Sequence, residues 1–184
     1  MTRTMVFPER RAGRWALLGL WVVTMSIGSV ASFDASARPV SRKWTVYRNK
    51  HLGIQFLVAR GWRVNDFRTH PSLIMGAHHS SGAEIRLSMK VFKVRESLLS
   101  FARDEVRAVR AIGFPVSAFM PAKVGSSKAL MVRGTDPKKP MSFRLYFFSK
   151  GHMYYVLTFT YPTKAYPRLW HAYKLLLVSF VFKK

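Results

Sequence analysis

Arg103, Arg107 and Arg110 are spaced four and three residues apart, so on a helix their guanidinium groups project from one stripe. A guanidinium is planar and pairs bidentately with phosphate or carboxylate, so the chemistry this stripe offers is recognition of an anion. Arg86 and Lys90, at alternating positions of a strand-like segment, extend the set to five candidate partner-binding residues, while Asp104 and Glu105 flank the stripe and soften it. Catalytic groups are scarcer. Beyond residue 37 the carboxylates are Asp66, Glu84, Glu96, Asp104, Glu105 and Asp136, and the only adjacent pair points about 100° apart on a helix. A metal would lean on His70, His78 and His79, helped by His152 or His171. Neighbouring histidines in a strand point to opposite faces, however, and no H-E-x-x-H spacing supplies a third ligand. There is no G-x-S-x-G nucleophile elbow, and Gly125-Ser126-Ser127-Lys128 lacks the upstream glycine of a phosphate loop and reads as a hairpin turn. With no cysteine in 184 residues, disulfides, thiol nucleophiles and Cys-ligated metals are excluded. No catalytic residue, metal ligand or cofactor is therefore expected. The alternative is a hydrolase or metal enzyme whose site is assembled from loop histidines and scattered carboxylates.

The elements that must position these residues begin after a targeting segment. Arg3, Arg10, Arg11 and Arg14 precede an uncharged apolar run from Trp15 to Val30, and two small-x-small sites follow, Ser29-Val30-Ala31 and Ala35-Ser36-Ala37. Residues 1–37 thus read as a cleaved signal peptide or, since Trp15 to Phe33 approaches bilayer length, as an N-terminal anchor with its linker. Either way, residues 38–184 are expected to be exported to the periplasm or extracellular space. In that part 27 Lys and Arg face 6 Asp and Glu, a formal +21. Such a surface attracts polyanions. Outside the cytoplasm these are an acidic protein, lipid head groups or acidic glycans, and nucleic acid is not the expected partner.

Within 38–184, a basic linker (Arg38 to Lys43) leads to strand candidates at Trp44–Tyr47, Gly53–Ala59 and Trp62–Val64. Glu84 to Lys93 alternates Ile85, Leu87, Met89 and Val91 with polar residues, which predicts a half-wet strand. Leu98, Ala102, Val106 and Val109 change the period to that of a helix over Leu98–Ile112, with Ser97 as N-cap and Gly113 as stop. Strands follow at Lys128–Arg133, Met141–Ser149 and His152–Tyr161. The last two are expected to form a hairpin through Lys150-Gly151, with Phe147 opposite Tyr154 and Tyr146 opposite Tyr155. Both faces of that hairpin are apolar, which predicts a sheet covered on both sides. A closing helix, Tyr166–Val178, has Pro167 in its first turn.

The order of these landmarks resembles the PsbP/DcrB superfamily, which shares its fold with the Mog-type Ran-binding proteins. Tyr47, Gly53-Ile54-Gln55-Phe56 and Gly61-Trp62 are similar to its opening, and Gly151-His152-Met153-Tyr154-Tyr155-Val156-Leu157-Thr158 with Ser179-Phe180 to its close. Ala59-Arg60 stand where a Pro often precedes Gly-Trp, and the lipobox cysteine of DcrB-like proteins is missing. The resemblance implies an α/β (α+β type) domain: an antiparallel sheet with helices on both faces, used for accessory or binding roles without shared catalytic residues. The resulting expectation is a non-enzymatic envelope protein that binds an anionic partner, with Leu98–Ile112 and Tyr166–Val178 on opposite sides of the sheet.

Overall fold

The computed structural model describes residues 39–41, 44–67, 70, 72–92 and 96–183. The signal or anchor segment lies outside the described residues. Eleven strands and two long helices follow in the order β1 (Pro39–Ser41), β2 (Trp44–Asn49), β3 (Ile54–Ala59), β4 (Trp62–Asp66), β5 (Leu73–His79), β6 (Glu84–Val91), α1 (Leu98–Ala111), β7 (Met120–Val124), β8 (Ser127–Thr135), β9 (Met141–Lys150), β10 (Met153–Pro162), α2 (Tyr166–Ser179) and β11 (Val181–Phe182). They form an antiparallel seven-stranded sheet, ordered β4-β5-β6-β10-β9-β8-β7, and a smaller one, β1-β2-β3-β11. The sequence reading anticipated one central sheet. The first strands instead build their own, beginning inside the stretch read as a linker.

The β9–β10 hairpin explains the layering. Every residue of β9 from Ser142 to Phe148 is buried, because its two faces feed two cores. On one face Phe143, Leu145 and Phe147 join Tyr154 and Val156 of β10 and Val132 of β8 beneath Phe101, Ala102 and Val106 of α1. On the other, Tyr146 and Phe148 join Tyr155, Leu157 and Phe159 beneath Leu169, Tyr173, Leu176 and Leu177 of α2, together with Tyr47, Phe56 and Val58 of the small sheet. The two helices therefore lie on opposite faces of the large sheet, as the two-sided apolar pattern requires.

The hairpin register differs from the expected one. Lys150 pairs with Met153, so the two-residue loop is Gly151-His152, and each partner moves by two residues. A two-residue shift keeps every side chain on its face but changes its neighbour: Phe147 faces Val156, Tyr146 faces Leu157 and Arg144 faces Phe159. The tight hairpin turn needs a left-handed residue at its first loop position, which Gly151 supplies at φ 61° and Lys150 would not. The observed register also stacks Phe148 on Tyr155, with centroids 5.2 Å apart.

α1 starts as its sequence predicts, with the Ser97 hydroxyl accepting from the Ser100 N–H at 3.0 Å, and stops at Gly113, whose N–H donates to the Arg110 carbonyl at 2.9 Å. The family-like landmarks turn out to be joints. The Ser179 hydroxyl accepts from the Leu57 N–H of β3 at 2.9 Å and donates to the Leu176 carbonyl, tying the end of α2 to the small sheet. Phe180 stacks on Phe56, which stacks on Tyr47, whose hydroxyl donates to Asp66 at 3.0 Å. At Gly125 a Cβ would lie 1.8 Å from the Phe180 carbonyl oxygen, so only glycine lets the β7–β8 turn meet the end of α2.

Candidate functional site

α1 covers β8, β9 and β10; on the same sheet face Arg86, Ser88 and Lys90 of β6 are half-buried. Arg103, Arg107 and Arg110 are exposed on α1. Arg107 bonds Asp104 at 3.0 Å, and Arg110 donates to the Val116 carbonyl at 3.2 Å, bracing the chain that leaves the helix. Among the described residues Arg103 has no ion-pair partner. On β6, Lys90 pairs with Glu105 of α1, and Arg86 pairs with Glu84 at 2.5 Å. At roughly 100° per residue, Glu105 sits about 140–200° around the helix from the three arginines. Lys90 therefore meets α1 on one flank while the arginine stripe occupies the other, and the five basic residues form two patches separated by the helix.

The histidines are spread apart. His78 and His79 end β5 instead of lying in a loop, and they point to opposite faces: His78 lies 3.7 Å from Glu84, while His79 packs against Trp62 and bonds Ser81 at 2.8 Å. His70 is held by its own turn, its Nδ1 accepting from the Leu73 N–H at 2.8 Å. The described residues contain no group of three His, Asp or Glu that could hold a metal ion. Most carboxylates serve the scaffold: Glu84 and Glu105 pair with β6, Asp104 with Arg107, Asp66 with Tyr47, and Asp136 accepts from the Lys138 N–H within its turn. An open depression of about 430 Å³ beside the β2–β3 turn is rimmed by Arg48, Lys50, His51 and Lys183, with no Asp or Glu among the described residues that line it.

Sequence reasoning gave Arg144 no role, yet it is the only charged side chain buried in the core among the described residues, at 8% exposure. It lies on the α2 face of β9. Its guanidinium carbon sits 4.3 Å from the Tyr166 ring centroid and 5.1 Å from that of Trp170, and its Nε donates to the Tyr161 hydroxyl at 3.4 Å. Burial works against its charge, but hydrogen bonds with the hydroxyls of Tyr161 and Tyr146 leave its pKa above the ordinary arginine value. Burial raises Tyr146 and Tyr166 in turn, opposed by the nearby Arg144 charge. No carboxylate pairs with it among the described residues. The signal in the sequence was a lone arginine inside a strand otherwise apolar on both faces.

No protein-family model matches the chain, and no curated protein sequence does. Solved structures do match it. The cyanobacterial PsbP (CyanoP) of Synechocystis is 8% identical, with a TM-score of 0.59 over 85% of this chain and 98% of that one. LpqN, involved in cell envelope biogenesis in Mycobacterium tuberculosis, is 14% identical, with a TM-score of 0.55 over 77% and 91%. PA94 of Pseudomonas aeruginosa, a protein of unknown function, is 13% identical, with a TM-score of 0.50 over 77% and 99%. At such identities the fold is what is shared, and this chain has the PsbP-like fold that its landmarks imply. No helix among the described residues is long and apolar enough to cross a membrane.

Proposed function

We propose that this protein is an exported, non-enzymatic accessory or binding module, and that the Arg103/Arg107/Arg110 stripe is its contact with an anionic envelope partner. The observation that carries the reading is the stripe itself: three exposed guanidinium groups on the outer side of a helix whose inner side is fully used by the core. Arg103 is without a carboxylate among the described residues, and Arg107 and Arg110 have only exposed partners that a stronger acceptor can displace. Arg86 and Lys90 join the contact when the partner is extended enough to cross α1. Export is supported by the charged and apolar start of the chain. Similarity to LpqN, an envelope-biogenesis protein, is compatible with a role in the envelope.

Affinity capture from the native envelope tests the reading, using the parent domain and an Arg103→Gln/Arg107→Gln/Arg110→Gln variant. The variant keeps a formal +18 over residues 38–184, so nonspecific attraction should fall only slightly. A specific contact should lose far more, because each desolvated charge-assisted bond is worth roughly 1.5–3 kcal/mol. The expected result is a polyanionic partner enriched by the parent and lost from the variant. Equal recovery by both would make the stripe a solvated helix face, and stoichiometric zinc or calcium in the purified domain would favour the hydrolase or metal-enzyme alternative.

A further inference from the structure

We propose that Arg133 and Arg144, with Tyr146 and Tyr161 beside them and Tyr166 and Trp170 as an aromatic wall, form a binding site for a phosphate group. This site lies on the α2 face of the sheet, away from the α1 stripe, so it stands or falls separately.

Arg133 of β8 and Arg144 of β9 are direct cross-strand partners, so their side chains leave the same face about 5 Å apart at Cβ. Like charges placed opposite each other destabilise a sheet. Among the described residues neither arginine has an ion-pair partner, although Glu and Asp pair with basic residues elsewhere in the fold. The arrangement is the one a bound anion would relieve. Arg144 is held by its stack on Tyr166 and Trp170, while Arg133 is exposed and free to close over a ligand. The Tyr161 hydroxyl accepts from Arg144 and keeps its own O–H to donate to a ligand oxygen. Two guanidinium groups call for a charge near −2 and several acceptor oxygens. A phosphate group supplies both, whereas a carboxylate balances only one arginine. The half-buried faces of Tyr166 and Trp170 offer an apolar flank to whatever carries the phosphate.

The test follows the arginine Nε–Hε NMR signals while inorganic phosphate or glycerol phosphate is added at constant ionic strength, with chloride as the reference. The site predicts saturable shifts at Arg133 and Arg144. It also predicts that phosphate raises the melting temperature of the parent, and that Arg133→Gln weakens phosphate binding about tenfold or more. In the absence of phosphate the same variant should be at least as stable as the parent, because a like-charge pair is gone. Arg144→Met should abolish the response, and if it fails to fold, the exposed Arg133→Gln carries the test. Phosphatidylglycerol vesicles form a second arm. Vesicles that shift both signals and are displaced by glycerol phosphate assign the site to a lipid head group; vesicles that leave both unmoved while glycerol phosphate shifts them assign it to a soluble phosphate ester. Either supports the site. Shifts that do not saturate, that appear equally at Arg103, Arg107 and Arg110, or that persist within about twofold in Arg133→Gln would overturn it.

Discussion

At Tyr173 a phenol ring fills the core between Phe159, 4.4 Å away centroid to centroid, and Trp62 at 5.9 Å, while its hydroxyl has no hydrogen-bond partner among the described residues. An orphaned buried hydroxyl costs about 1–3 kcal/mol, so Tyr173→Phe is expected to raise stability by about 1 kcal/mol, read as a higher denaturation midpoint in urea. A lower midpoint would mean that the hydroxyl has a partner after all. Ser179 is the opposite case. Its hydroxyl serves both β3 and the last turn of α2, so Ser179→Ala should lose about 1–3 kcal/mol despite removing a single atom. Tyr155 adds a pH dependence: burial pushes its pKa from 10 up to about 12, and Tyr173 moves in the same direction. The unfolded chain releases these protons first, so the stability they contribute is complete below pH 10 and is lost between about pH 10 and 12. A Tyr155→Phe/Tyr173→Phe variant should hold its denaturation midpoint better than the parent across that window.

Among the elements, the β7–β8 turn is the sharpest test of how α2 is seated. Gly125 has φ 57°, and its N–H donates to the Leu177 carbonyl at 2.6 Å. Gly125→Ala would push a methyl into the Phe180 backbone and should destabilise the domain by several kcal/mol, at the upper end for single substitutions. Gly113→Ala meets open space at φ 91° and should cost only the backbone strain of about 1–2 kcal/mol. What the sequence made legible followed from periodicity. α1 was readable because its apolar spacing, Ser97 cap and Gly113 stop agree, and the β9–β10 pair because both its faces are apolar. β7 was not, since Pro121 and Lys123 interrupt any pattern; as the edge of the sheet it tolerates both. β5 was missed because Gly76 interrupts its apolar run and the terminal His78-His79 read as the start of a polar loop, although Ile74, Met75, Gly76 and Ala77 are all buried. The arginine stripe was visible as spacing on one helix. The Arg133/Arg144 pair was not, because it exists only once β8 and β9 are in register.

At the scale of the whole molecule, the fold is held at a few joints, and structures only 8–14% identical to this chain have the same fold. Tyr47, Phe56, Ser179 and Phe180 join the small sheet, α2 and the large sheet, and these joints depend on a few side chains and hydrogen bonds. The chain they hold together is strongly basic. The central claim is that the charge on α1 is specific and not merely part of the total, and a charge-matched comparison tests it most directly. Binding to the captured partner is measured at 0.15 M salt for the parent, for Arg103→Gln/Arg107→Gln/Arg110→Gln, and for Lys123→Gln/Lys138→Gln/Lys139→Gln, which removes the same charge from exposed positions elsewhere. The stripe variant should bind about a hundredfold more weakly or worse, and the lysine variant within about threefold of the parent. Equal losses from both variants, or a stripe variant that stays within about threefold, would contradict the account and leave the stripe a solvated helix face.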